Sequence, residues 1–220
     1  MTKKTLLALA FAAFVAGEAF AESNSLWSVG GGFIFDAGVS AVDTSQRVPG
    51  IGVIRNEFNF VQIGLGGWVF VDARFAELSI ALFGGPSMWR ADFLGVVDEE
   101  WGSFFAMDFS LLGKWPIALR QTTAFLALGI GYTLAFSSNV EGERYPDSPS
   151  DLNVFRVQFG FGFDIDLSER LFFRTSYLGF IRFRSRYFRE FAQELESFLN
   201  VGAETFGGGA TVKIGVGFRL

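Results

Sequence analysis

Apolar and polar residues alternate along most of this chain with a period of two, which is the side-chain repeat of a β-strand. The alternation is clearest at the C-terminus, where the apolar face carries Ala210, Val212, Ile214, Val216, Phe218 and Leu220. The opposite face there carries Gly209, Thr211, Lys213, Gly215, Gly217 and Arg219. The pattern recurs in further segments, and the sequence predicts eight strands: 27–36, 61–66, 77–82, 105–111, 126–134, 153–166, 171–188 and 209–220.

The connections between these segments alternate between short and long. The short ones are Asp72–Arg74, Pro116–Gln121 and Asp166–Arg170, and the long ones are Asp36–Asn56, Gly85–Gly102, Ser137–Leu152 and Arg189–Thr205. An antiparallel meander has this order when one rim has tight turns and the other has extended loops. The sequence therefore predicts an all-β, eight-stranded antiparallel up-and-down transmembrane β-barrel, with short periplasmic turns and four longer outer loops.

The composition of the two faces indicates which one points outward. The polar face is largely Gly, Ala, Ser and Thr, which suit the crowded interior of an eight-stranded barrel. The other face is nearly pure Phe, Leu, Ile and Val, which favours contact with lipid over contact with water. Two alternatives stay open: a soluble barrel with its polar face outward, and a membrane-spanning helix over the uncharged segment Gln121–Val140.

The N-terminal segment has the pattern of a secretory signal peptide. Lys3 and Lys4 precede an apolar stretch from Thr5 to Gly17, and Ala19-Phe20-Ala21 supplies small residues for cleavage. The stretch is too short to cross a hydrocarbon layer of about 30 Å. We therefore expect residues 1–21 to be a signal peptide removed after Ala21, and residues 22–220 to be an exported outer-membrane β-barrel.

The residues that the chain lacks exclude several kinds of chemistry. It contains no histidine and no cysteine, so neither a histidine-based catalytic site nor a thiolate metal site can be built. The formal net charge of −5 gives no basic stripe for nucleic acid. We expect a non-enzymatic protein with no catalytic residue, no cofactor and no metal.

Several charged residues share the inward face and are expected to pair inside the barrel. The candidate lumen residues are Glu77, Asp108, Arg156, Arg174, Arg182 and Lys213, with Lys114, Asp164, Arg184 and Arg219 nearer the rims. Lone buried charges are costly, so we expect pairs of Glu77 with Arg174 and of Asp108 with Lys213. A structural ion-pair core is favoured, and a narrow polar path for a small solute is the alternative.

Two of the long connections have features of their own. Apolar residues recur at helical spacing within Arg189–Asn200, which predicts a short amphipathic helix in the last outer loop. Pro146, Pro149 and several serine and acidic residues indicate a solvated loop over Ser137–Asp151. Binding of a host or extracellular ligand is expected in these outer loops.

The mature chain resembles the small eight-stranded outer-membrane proteins, the group of OmpX, OmpW and the OmpA transmembrane domain. Its last residues, ATVKIGVGFRL, are similar to the C-terminal signal read by barrel-assembly machinery, although they end in Leu220 with Phe218 two residues earlier. The segments SLLGKWPIAL and DLSERLFFR also resemble the eight-stranded barrels of spirochaetes. The resemblance implies insertion in outer-membrane lipid and a role in adhesion, in envelope integrity or in passage of small hydrophobic solutes.

Overall fold

The computed structural model describes residues 27–48, 52–93, 96–119, 122–140, 152–183, 193 and 202–220. Eight antiparallel strands close into one barrel in sequence order, as predicted. Their bounds are β1 Ser28–Val48, β2 Gly52–Asp72, β3 Ala76–Phe93, β4 Val96–Leu119, β5 Thr122–Val140, β6 Val154–Asp166, β7 Leu171–Arg182 and β8 Gly202–Arg219. The ring is completed by pairing of β1 with β8.

The register of the strands sets the width of the barrel. Directly paired residues followed from Val29 around the ring return to β1 at Val39, ten residues further along. With usual strand spacings, this stagger tilts the strands by roughly 40° and gives a backbone radius of roughly 8 Å. A tube of this width is filled by its own side chains.

Six strands, β1 to β5 and β8, are longer than the alternation predicted, whereas β6 and the described part of β7 are not. The interpretation of Asp36–Asn56 and Gly85–Gly102 as long loops is wrong, because β1 and β2 are separated only by residues 49–51, and β3 and β4 only by 94–95. In β4, residues 96–99 are all exposed, whereas residues 104–115 alternate between more buried and more exposed positions. The period-two alternation is therefore weak from residue 96 to residue 103 of β4, since neither face is fully buried there.

The opposite rim, here called the turn end, has tight connections. β2 and β3 are joined by residues 73–75, and β6 and β7 by residues 167–170. In the first of these turns Phe75 N donates to Ala73 O, and Arg74 has a φ of 64°. Pro116 was expected in a turn, but β4 continues through it to Leu119. Within the strand, Pro116 pairs with Phe125 of β5.

Some predictions concern residues outside the described part of the chain. The signal peptide, residues 1–21, is among them, as is the loop 141–151. The predicted helix Arg189–Asn200 also lies there, apart from Gln193, which is helical. The membrane-helix alternative for Gln121–Val140 is wrong, because Thr122–Val140 is strand β5. Among the described residues, no helix is long and apolar enough to cross a membrane.

Inward glycines make room for phenylalanine rings on neighbouring strands. Four such glycines are each paired directly with an inward phenylalanine: Gly30 with Phe70, Gly162 with Phe125, Gly209 with Phe180, and Gly217 with Phe172. A Cβ atom placed on Gly217 would lie 2.2 Å from Cζ of Phe172, which is far inside van der Waals contact. The phenylalanine rings therefore fill the space that a side chain would occupy if these positions were not glycine.

Gly217→Ala is expected to destabilise the barrel by about 1–3 kcal/mol, because the added methyl group forces the Phe172 ring out of its place. Urea unfolding in lipid vesicles measures the change. The matched control is Gly67→Ala on the outer surface, where the nearest atom to a new Cβ would be 3.7 Å away. Equal loss of stability in the two variants would contradict this account of the interior.

Candidate functional site: a charged lumen inside an apolar wall

The lumen holds equal numbers of acidic and basic side chains. Among the described residues, the buried acids are Asp36, Asp72, Glu77, Asp108 and Asp164, and the buried bases are Lys114, Arg156, Arg174, Arg182 and Lys213. All six predicted lumen residues are in this set. Because five negative charges face five positive charges, the buried interior is formally neutral over the part of the chain that the structure describes.

One cluster of charges lies at the turn end of the lumen and is centred on Arg174. Its guanidinium donates twice to Asp164, at 2.6 Å each, once to Glu77 at 2.9 Å and once to Asp72 at 2.7 Å. Lys114 also donates to Asp72, and its ammonium lies 3.8 Å from Glu77. The expected pair of Glu77 with Arg174 is present in this cluster, which joins five strands.

Aromatic rings enclose the turn-end cluster. The guanidinium carbon of Arg174 lies 4.4 Å from the ring centre of Phe70 and 5.0 Å from that of Phe172. Phe125 lies 4.2 Å from the Lys114 ammonium. Rings at these distances attract a cation through the negative charge density of their faces and separate the ion pairs from water.

A second cluster lies further from the turns and is centred on Arg156. Arg156 donates to Asp36 at 2.8 Å and is paired with Asp108. Asp36 also accepts a hydrogen bond of 2.7 Å from Thr211, so β1, β6 and β8 meet at one carboxylate. Arg182 lies 3.8 Å from Asp36, and the Phe180 ring contacts both arginines.

Lys213 lies between the two clusters, and it is not paired with the partner that was predicted for it. Its ammonium donates to the Ser79 hydroxyl at 3.0 Å and lies 5.1 Å from the Trp68 ring. Asp108, its expected partner, is instead bound by Arg156, Ser110 and Thr133. Counting residues from the turns indicated a shared level for Asp108 and Lys213, but it could not show that Arg156 of β6 reaches Asp108 across the lumen.

Sequence reasoning missed two groups of lumen residues. It placed Asp36 and Asp72 at the edges of connections, although both are buried ion-pair partners. It also missed the large inward side chains Ile34, Phe60, Trp68, Phe70, Phe83, Phe104, Leu112, Phe125, Phe172, Leu178 and Phe180. Their parity was readable, since Phe172 and Phe180 lie an even number of residues from Arg174. The near-absence of polar residues beside them concealed it.

In contrast to the charged lumen, the outer wall of the barrel is apolar. Its exposed side chains include Phe33, Leu65, Val69, Leu82, Leu111, Leu128, Phe159 and Val216. Along β4 the outward residues from Trp115 to Phe105 contain no charge, and these ten steps span about 25 Å along the axis. This is the height of the apolar band on an outer-membrane barrel.

Aromatic side chains mark both edges of this apolar belt. Trp27 and Trp115 are exposed near the turn end. At the other edge, the ring centres of Phe105 and Phe136 are 5.9 Å apart, and those of Phe155 and Phe183 are 5.7 Å apart. Trp and Tyr concentrate at membrane–water interfaces because their rings are amphipathic, and girdles of aromatic residues flank the apolar band of outer-membrane barrels.

The fold and its surfaces define a closed antiparallel barrel with a charged interior and an apolar exterior, resembling the outer-membrane β-barrels. No protein-family model matches the sequence, and no curated protein matches it. Among solved structures, the barrel is similar to the translocator domain of the autotransporter NalP from Neisseria meningitidis. That similarity has a TM-score of 0.31 and 11% identity over 98% of this chain and 96% of that one.

A second similar structure is the transport unit of the autotransporter AIDA-I from Escherichia coli. Its TM-score is 0.24, with 6% identity over 96% of each chain. The fold assignment here depends on the strand pairing itself and not on these two likenesses.

Proposed function

We propose that this chain is a non-enzymatic integral protein of the bacterial outer membrane, exported through a cleavable signal peptide. In this proposal its lumen is a structural core, and its task lies at the rim opposite the turns, in surface contact or in envelope structure. The apolar belt of about 25 Å with aromatic edges carries the proposal, because water would disfavour such a wall. Lipid is the first partner, and barrel-assembly machinery would engage β8.

The charged lumen supports a core rather than a conduit. Arg174 and Arg156 are each held by at least two carboxylates and covered by aromatic rings. Moving a solute through would separate these pairs in a medium of low dielectric constant, which costs several kcal/mol for each ion. The lumen as described offers no observation that favours passage of small hydrophobic solutes.

The purified protein is expected to give no stepwise conductance in planar lipid bilayers. A known porin, reconstituted in the same bilayers, controls for insertion of barrels. Heat-modifiable migration of the recovered protein establishes that the barrel was folded during the measurement. Stable, voltage-independent channels of the folded protein would overturn the structural-core proposal and favour a conduit.

A further inference from the structure

The walls formed by β2 and β6 lie opposite each other, four strands apart in the ring of eight. On β2 the uncharged outward residues are Val61, Ile63, Leu65, Gly67, Val69 and Val71. On β6 they are Phe155, Val157, Phe159, Phe161, Phe163 and Ile165. At the end away from the turns, the next outward position is an asparagine on both walls, Asn59 and Asn153. The two walls therefore carry apolar sections of equal height, here called the β2 section and the β6 section, each about 25 Å along the axis.

The strand register shows that the two sections lie at different levels. From Val71, directly paired residues lead across β3, β4 and β5 to Val157 of β6. Because the stagger is shared among all the strands, each step to the next strand rises about 3 Å away from the turns. Val157 is therefore about 12 Å above Val71, whereas Ile165, further along β6, is about 8 Å below Val71. The β6 section thus lies about 8 Å closer to the turn end than the β2 section.

The walls between β2 and β6 agree with a single oblique plane. β4 is two strands from each of them, and its belt from Trp115 to Phe105 is centred within about 1 Å of the mean of the two levels. On β8, the other intermediate wall, the outward residues from Phe218 to Gly208 are centred within about 3 Å of that mean. The apolar belt therefore crosses the barrel obliquely, and it is highest toward β2 and lowest toward β6.

The height and the chemistry of both sections fit the hydrocarbon layer of a membrane. The apolar band of an outer-membrane barrel is also about 25 Å tall. Around an upright barrel, a flat layer of this thickness would leave about 4 Å of apolar wall uncovered at Val61 and the same at Ile165. Such mismatch costs free energy for each ångström, and tilting of the spanning segments relieves it. Both sections are covered completely only when the barrel leans.

We propose that the lipid-binding surface of this barrel is the oblique belt, so that the barrel axis is inclined by about 20° to the membrane normal. The angle follows from an offset of about 8 Å across a barrel that is about 20 Å wide with its side chains. The end away from the turns leans toward β2. This inference rests on the proposed membrane location and adds the orientation of the barrel in the lipid.

The inclination gives the rim two different sides. On the leaning side, β2 continues from Val61 to Gly52, about 22 Å beyond the belt. On the opposite side, β6 ends at Val154, about 3 Å beyond Phe155. Among the described strands, the β1–β2 hairpin therefore stands clear of the membrane, whereas the end of β6 lies at its surface.

Spin labels at matched positions on β2 and β6 test the inclination. The chain contains no cysteine, so a single introduced cysteine carries the only label. Toward the end away from the turns, the label of Ile63→Cys is expected about 5 Å deeper in the bilayer than that of Phe155→Cys. Toward the turn end the deeper label is on β6 instead, with Phe163→Cys about 5 Å deeper than Val71→Cys. In an upright barrel both orders are reversed, by about 3 Å.

Depth is measured on the full barrel in lipid vesicles by electron paramagnetic resonance. The accessibility of each label to oxygen, which concentrates in lipid, is compared with its accessibility to a water-soluble nickel chelate. Phe109→Cys on β4 is the matched control, because this exposed residue lies near the middle of the belt in either orientation. Heat-modifiable migration establishes that each labelled barrel is folded.

The control separates failure of the inclination from failure of the membrane proposal. With the Phe109→Cys label in lipid, a Phe155→Cys label as deep as that of Ile63→Cys would overturn the inclination and leave the membrane location standing. The same holds for a Val71→Cys label as deep as that of Phe163→Cys. Free access of the nickel chelate to Phe109→Cys in the folded barrel would overturn the membrane location, and the inclination with it.

Discussion

Arg174→Met is expected to destabilise the barrel by about 3–5 kcal/mol, because it removes a cation that is paired with three buried carboxylates. Among the described residues, Lys114 then remains within 4 Å of Asp72 and Glu77, and Asp164 loses its ion-pair partner. Methionine fills much of the volume of the arginine stem, so the loss reports mainly on charge. Urea unfolding in lipid vesicles, followed by tryptophan fluorescence and by heat-modifiable migration, gives the free energy of unfolding.

Two further variants make this prediction specific. Arg170→Met removes an exposed arginine at the same rim and should change the stability by less than about 1 kcal/mol. Adding Glu77→Gln and Asp164→Asn to Arg174→Met leaves a single Asp72–Lys114 pair, and should restore much of the lost stability. If these two changes lowered the stability further, the lumen would not be held by balanced charges.

Phe33→Arg is expected to destabilise the inserted barrel by about 2–4 kcal/mol, the cost of placing a cation at the lipid midplane. Phe33 is 79% exposed and lies near the middle of the apolar belt. In a barrel surrounded by water, the same change would be neutral or would improve solubility. The measurement therefore decides between the membrane barrel and the soluble barrel that the alternation alone left open.

Val97→Arg is the control for position along the axis. It also exchanges an exposed apolar residue for arginine, but beyond the aromatic edge of the belt, and should cost about 0–1 kcal/mol. Vesicle-based unfolding of both variants under one set of conditions gives the comparison. Equal costs at the two positions would contradict the assignment of the belt to lipid.

The fold was predictable where one face of a strand is buried and the other is apolar and exposed. In β6, Phe155, Phe159 and Phe161 face outward while Arg156 and Gln158 face inward, and this contrast gives period two directly. In the outer half of the β3–β4 hairpin the contrast disappears, while backbone pairing continues to Phe93 and Val96. Backbone hydrogen bonds carry no signature in the side chains, so the sequence suggested a loop there.

Most of the buried charges of the lumen were predictable, whereas Asp36, Asp72 and the large inward apolar side chains were missed, and of the two expected pairs only Glu77 with Arg174 is present. Parity placed Arg174 and Glu77 inside, and their approximate levels favoured contact. The choice of Arg156 over Lys213 for Asp108 depends on the stagger of ten residues around the ring, which sets strands side by side at different heights. That stagger is a property of the closed sheet and could not be read from separate segments.

Ring closure through β1 and β8 has a consequence for the order of assembly. The two strands of each hairpin are close together in the sequence. Ser28 and Arg219, which pair where β1 meets β8, are separated by nearly the whole length of the chain. Contacts of such long sequence separation form slowly, because the chain loses conformational entropy in closing the loop before the contacts can stabilise it. Asp36 of β1 accepts its hydrogen bond from Thr211 of β8 only when these two strands pair. A chain interrupted before β8 would therefore keep two unpaired sheet edges and an incomplete carboxylate site, and quality-control proteases could distinguish it from the finished ring.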